Sequence, residues 1–164
     1  MNISFKQFTV TFILTLSTTI LFSQNEKNDV LAKFIITEAT INGIDETAFY
    51  LDQSCYTVFY TFEKDNLIYM ANYCDKENTQ SFGPMYATES LNHEETSETY
   101  EAEEFNFSWR YTNNYNDNTG TAKVLFTKIY KPNGITFTIK IIPKNLDLIV
   151  FSGYMEGSID FSKY

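Results

Sequence analysis

The stretch SCYTVFYTFEKDNLIYMANYCD, residues 54 to 75, carries both cysteines of the chain, one at each end of an aromatic run, and it constrains the fold more than any other segment. Apolar and aromatic residues alternate through Tyr56, Val58, Tyr60 and Phe62, then through Leu67, Tyr69, Ala71 and Tyr73. Glu-Lys-Asp-Asn between the two runs has the composition of a turn. Period-two alternation interrupted by a turn predicts a β-hairpin. Centring the loop between Lys64 and Asp65 makes paired residue numbers sum to 129, which sets Tyr60 opposite Tyr69, Tyr56 opposite Tyr73 and Cys55 opposite Cys74.

Opposed residues of an antiparallel ladder have Cβ atoms about 4.5 to 5.5 Å apart, closest at non-hydrogen-bonded pairs, so the two thiols come within bridging reach. A two-residue loop, Lys64-Asp65, would put them at a hydrogen-bonded pair, whereas a four-residue loop, Glu63 to Asn66, puts them at the narrower pair and is preferred. The plainer alternative is a free buried pair. A redox or metal role is disfavoured, because the chain has no CxxC spacing and a single histidine.

A disulfide requires an oxidising compartment, and the N-terminus points to one. MNISFKQFTVTFILTLSTTILFSQN has a polar start bearing Lys6, an apolar stretch of about 15 residues from Phe8 to Phe22, and then a polar sequence. That is the layout of a secretory signal peptide, and it is shorter than the roughly 20 residues a membrane span needs. Residues 1–23 are expected to be removed by cleavage after Ser23, a retained N-terminal anchor being the alternative. Residues 24–164 then form a single domain of 141 residues, secreted or periplasmic, with no later segment apolar enough to span a membrane. Without Lys6 it has 11 basic and 21 acidic side chains, a net charge of −10. Such a balance argues against nucleic acid and anionic membranes as partners.

The remaining segments repeat the short, alternating pattern. Val30 to Thr40 reads as a first strand, Ile41-Asn42-Gly43-Ile44 as its turn, and Thr47 to Leu51 as the strand that follows. Ser81 to Thr88, interrupted by Gly83-Pro84, reads as an edge strand at best. Phe105, Phe107, Trp109 and Tyr111 alternate strictly, with Asn106, Ser108, Arg110 and Thr112 on the opposite face. An Asn-rich connector from Asn113 to Gly120 lacks the acidic spacing of a calcium loop and reads as a hairpin turn. It leads to Thr121 to Tyr130, a turn at Pro132-Asn133-Gly134, and Ile135 to Ile142.

A three-residue loop with Gly134 in a bulge position would pair Lys131 with Ile135, Ile129 with Phe137 and Leu125 with Ile141, turning Lys128 out of the core. A last strand covers Leu146 to Met155. Glu89 to Glu104 interrupts the series with seven acidic residues and no basic one, and is expected to be a short acidic helix or a linker. His93, Glu94, Glu95 and Glu98 within it match no dedicated metal-loop spacing.

The fold expected is therefore all-β, an antiparallel up-and-down meander of about eight strands forming a barrel or half-barrel. In strand count, export signal and the opening hairpin ITEATINGIDETAFYL, residues 36–51, the chain resembles small bacterial lipocalin-like (calycin) barrels at the level of architecture. It departs from them in having no Gly-x-Trp near the first strand, its one Trp being Trp109, so the resemblance transfers no residue role.

Catalysis has little support. The one histidine, His93, sits in the acidic run without a nucleophile motif, and no glycine-rich phosphate loop or cofactor motif occurs. Binding is the better class. With 12 Tyr and 15 Phe the chain is rich in rings, and tyrosine on sheet faces suits recognition of amphipathic partners, although aromatics also simply fill small β cores. Tyr56, Tyr60, Tyr69 and Tyr73 form one stripe, and Trp109 with Tyr111 a second that would line the same concavity. Arg110, the one arginine, would clamp a ligand carboxylate. Two functions follow. One is a monomeric barrel holding a small apolar or amphipathic ligand, with no cofactor or metal. The other is a module with a packed interior that offers a sheet face to another exported protein.

Overall fold

In the computed structural model, residues 28–63, 65–88, 93–96, 101–144 and 147–164 are described. The expected signal segment, 1–23, and Glu98 lie outside them, and so does the start of the expected last strand at Leu146. Ten strands run in chain order: β1 (Asn28–Ile41), β2 (Ile44–Asp45), β3 (Cys55–Phe62), β4 (Ile68–Cys74), β5 (Thr79–Ala87), β6 (His93–Thr96), β7 (Glu101–Asn113), β8 (Thr119–Lys131), β9 (Gly134–Pro143) and β10 (Ile149–Gly157). A short helix α1 (Thr47–Asp52) lies between β2 and β3, and a 3-10 turn covers Phe161–Lys163.

Eight strands close into an antiparallel ring in the order β1, β3, β4, β5, β7, β8, β9, β10, with β10 returning to pair with β1; β2 and β6 stand outside the ring on β1 and β7. Closure brings β1 and β10 so near that a Cβ on Gly153 would run into the Ile35 carbonyl and touch the Phe34 ring. The alternation read from the sequence becomes inside and outside. Phe34 and Ile36 of β1, Phe59 of β3, Ile68 and Met70 of β4, Phe107 and Trp109 of β7, Phe126 of β8 and Ile139 of β9 are all buried in one core. Phe161, carried in by the C-terminal turn, packs on Phe126 at 4.3 Å between ring centroids and on Phe59 at 5.3 Å. The middle of the barrel is filled by its own side chains.

The β3–β4 hairpin has the expected register: Tyr60 faces Tyr69, Tyr56 faces Tyr73, and Cys55 faces Cys74. The cysteines form a disulfide with a Cα separation of 4.0 Å, as suits the narrow kind of antiparallel pair.

Four expectations are corrected. Thr47 to Leu51 is helical, because the Asp45 carboxylate accepts from the Thr47 backbone N–H and starts a turn, while β3 already takes the place beside β1. The segment from Ser81 is no edge: β5 lies between β4 and β7. Its Pro84 is tolerated because the ladder to β7 skips Gly83 and Pro84, and the Gly83 carbonyl instead accepts from the Trp109 indole at 3.2 Å. A Cβ at Gly83 would collide with the Arg110 carbonyl, so only glycine allows this approach. The acidic run is not a helix where it is described, since His93–Thr96 pairs with Glu101–Glu104 as an added strand.

The β8–β9 register is the fourth. The loop holds only Pro132 and Asn133, with Gly134 already opposite Lys131, so every pair shifts by one: Lys128 meets Phe137 and Val124 meets Ile141. Packing against β7 decides this, because Trp109 needs the small Ala122 opposite it and Phe107 needs Val124. Leu125 and Ile129 turn outward, and Lys128 turns into the mouth of the barrel. The mouth is where that costs least. Lys128 stays partly solvated, 3.9 Å from the Glu103 carboxylate and 4.5 Å above the Tyr130 ring.

Candidate functional site

Strand parity divides the residues singled out in the sequence between two places. Cys55, Thr57 and Phe59 point into the barrel, so Tyr56, Val58, Tyr60 and Phe62 point out; on β4, Ile68 and Met70 point in and Tyr69, Ala71 and Tyr73 point out. The tyrosine stripe therefore lies on the outer wall. Trp109 and Tyr111 face the interior, and Arg110, on the other face of β7, joins the tyrosines outside. The expectation that Trp109 and Tyr111 share the concavity of the tyrosines is thus corrected: Cys55, Thr57, Phe59, Ile68 and Met70 take the inward positions of β3 and β4, which leaves the stripe on the face opposite to the interior that Trp109 and Tyr111 line.

On the outer wall the two cross-strand tyrosine pairs stack. Tyr56 and Tyr73 have ring centroids 5.4 Å apart at 22°, and Tyr60 and Tyr69 are 5.4 Å apart at 27°. Phe62 closes one end edge-on, 4.8 Å from Tyr69. Between the pairs Val58 faces Ala71, which is completely buried although it points outward. Phe82 and Pro84 of β5 continue the surface toward Thr112 and Arg110 of β7, and together these residues enclose a groove of about 670 Å³.

The electrostatics of the groove are those of neutral phenols edged by cations. Burial, reinforced by Tyr73 and Tyr69, pushes the Tyr60 phenol up to about 12. Burial also raises Tyr73, and raises Tyr56 together with the nearby Asp75 carboxylate. All three are uncharged hydrogen-bonding groups at physiological pH. The Tyr69 hydroxyl donates to Asp65 at 2.8 Å, which fixes the loop end of the groove. Lys33 Nζ lies 3.8 Å above the Tyr56 ring, and the Arg110 guanidinium 4.9 Å from the centre of the Tyr86 ring. Among the described residues no carboxylate pairs with Arg110, so its fork of donors faces solvent beside the groove.

Two further concavities lie at the barrel ends. One, of about 600 Å³, surrounds Phe161 and has Glu103, Lys128 and Tyr130 on its rim, the Tyr130 hydroxyl donating to Glu103 at 3.2 Å. The other, smaller one takes in Trp109 and Tyr111. The sequence reading missed Lys128 because turn chemistry sent it outward. The size match between Trp109 and Ala122 was the signal that would have placed it. Among the described residues, no group of three or more His, Cys, Asp or Glu side chains is arranged to hold a metal ion, and no helix is long and apolar enough to cross a membrane. Comparison of the chain with family models, with curated proteins and with solved structures gave no match.

Proposed function

We propose that this protein is an exported, monomeric, non-enzymatic binding module that works from the outside of its barrel, holding a small amphipathic molecule in the tyrosine groove. The observation that carries this reading is the pair of stacked tyrosine couples floored by Val58 and Ala71, which presents an apolar bed ringed by uncharged hydroxyls. A ring or short chain resting there covers apolar surface while its polar groups meet phenols and the open Arg110 guanidinium, which favours a ligand bearing an acidic group. The disulfide and the signal-like N-terminus support export. Kinship with the lipocalin-like barrels rests on strand number and meander order, and the filled middle of the barrel argues against a ligand threaded through the lumen.

Native mass spectrometry of oxidised protein purified from its source tests the reading. A small bound mass that is lost in a Tyr56→Ser, Tyr73→Ser variant, with the emission of buried Trp109 unchanged on binding, is the expected result. A second protein chain in place of a small mass would favour the other reading, a sheet face covered by a partner. That reading draws on the packed interior and on the outward apolar surface of β3 and β4. Binding that survives loss of both tyrosines would exclude the groove from either role.

A further inference from the structure

The interior is not uniformly apolar. At the barrel end away from Phe161 the inward positions of β3, β4, β5 and β7 are Thr57, Asn72, Ser81 and Asn113, where the alternation that fills the middle would call for aliphatic residues. Thr57 is completely buried and Asn113 is only 8% exposed. The Thr57 hydroxyl donates to Asn72 Oδ1 at 2.8 Å, and the Ser81 hydroxyl donates to Asn113 Oδ1 at 2.6 Å. Both amide oxygens are thereby engaged, and among the described residues neither amide nitrogen has a protein partner where the two residues line a cavity of about 280 Å³. Turning either amide over would exchange an open NH2 for an open C=O and leave the floor equally polar.

The walls of this cavity are of another kind. Trp109 is fixed by its indole N–H on the Gly83 carbonyl, Tyr111 leans on it with centroids 4.9 Å apart, and Tyr115, 60% exposed, stands at the opening. Asp147, the one carboxyl side chain of the lining, is held at the rim by Asn42 at 2.6 Å. Three classes of ligand fit poorly. A purely apolar molecule would cover the amide nitrogens without bonding them, at a cost of about 1 to 3 kcal/mol each. An anion would meet Asp147 and no cation. A cation would find its acceptors taken, the amide oxygens by Thr57 and Ser81 and the Asp147 carboxylate by Asn42.

We propose that this end of the barrel binds one neutral pyranose ring, such as a hexose at the end of a glycan. Such a ring has C–H faces for the aromatic and aliphatic walls and hydroxyl oxygens for the asparagine donors. The volume lies just below the usual range of about 300 to 1,000 Å³ for ligand pockets, and so admits one ring but not a lipid. The site is separate from the outer groove and does not depend on it.

The test is a titration of the oxidised protein with methyl glucoside, methyl galactoside and methyl mannoside, each in the millimolar range, followed by the side-chain amide signals of Asn72 and Asn113 and by the emission of Trp109. At least one glycoside should move these signals saturably while the rings of Tyr56 and Tyr73 stay put. Asn113→Asp, which keeps the acceptor for Ser81 and removes the NH2, should weaken binding about tenfold. If that variant does not fold, Tyr115→Ala in the exposed loop must weaken binding instead. Failure of all three glycosides, equal binding of cyclohexanemethanol or of glucuronate, or an affinity unchanged in the variant that folds would each overturn the proposal.

Discussion

The two faces of the β3–β4 hairpin are built from the same strands and the same ladder, yet they are buried by different means. Inward, Phe59, Ile68 and Met70 are covered by the opposite wall of the barrel and by Phe161. Outward, no described strand packs over Tyr60 or Ala71, and still Tyr60 is only 7% exposed, stacked on Tyr69 and met edge-on by Phe62, and Ala71 opposite Val58 is completely buried. An antiparallel sheet with one wet side ordinarily places polar residues there. This one carries a second, self-made apolar layer, whose phenol oxygens keep it compatible with water. Concealment and enclosure are thus separate properties in this chain, and a layer that covers itself is free to be covered by something else.

The comparison can be broken experimentally. Phe59→Ala removes a ring from the enclosed side, with an expected loss of about 3 to 5 kcal/mol in urea unfolding. An outer-wall substitution with the same effect would erase the distinction between the layers. Replacing Cys55 and Cys74 together by Ala, which frees the hairpin that carries both faces, should cost about 3 kcal/mol, read as a lower unfolding midpoint that reductant no longer shifts.

A pH series sharpens the contrast further. Because the Tyr60 phenol is raised to about 12 in the fold from its ordinary value near 10, its contribution is fully present below about pH 10 and is lost as pH rises toward 12, where the unfolded chain ionises first. Stability should decline over that window and decline less in Tyr60→Phe. Tyr73→Ser, which unstacks one outer pair, should cost only about 0.5 to 1 kcal/mol. Smallest of all, Lys128→Met at the mouth should stay within about 0.5 kcal/mol, since a half-exposed pair with 3.9 Å between its charges contributes little.

Two hairpins show how far the sequence could be read. In β3–β4, a covalent constraint and the ring pattern both pointed to a sum of 129, and any slip would have separated the cysteines as well as the stacked tyrosines. In β8–β9, only a proline, an asparagine and a glycine, which suit more than one loop length, and the cost of burying Lys128 bore on the register. Neither consideration is as strong as fitting Ala122 beneath Trp109, and that contact links residues on strands whose facing could not be known beforehand. The same gap explains the site. Tyr56, Tyr60, Tyr69 and Tyr73 were recognisable as one stripe from spacing alone, but the outward face of β3 (Tyr56, Val58, Tyr60, Phe62) is more apolar than the inward one (Cys55, Thr57, Phe59, Thr61), so the stripe was grouped with Trp109 and not with Arg110. Asn72 stands alone in the sequence and Asn113 reads as part of the connector, and the two gain meaning only once the fold has set both on inward positions.

The joining of β1 to β10 has a consequence for how such a molecule is made. Phe34 finds its ladder partner, Met155, only after most of the chain has been assembled. Until then the first stave of the barrel shows one bare edge, a template for any stray strand and the slowest contact to form. A nascent chain would need that edge shielded until the glycine-bearing last stave arrives to lock it.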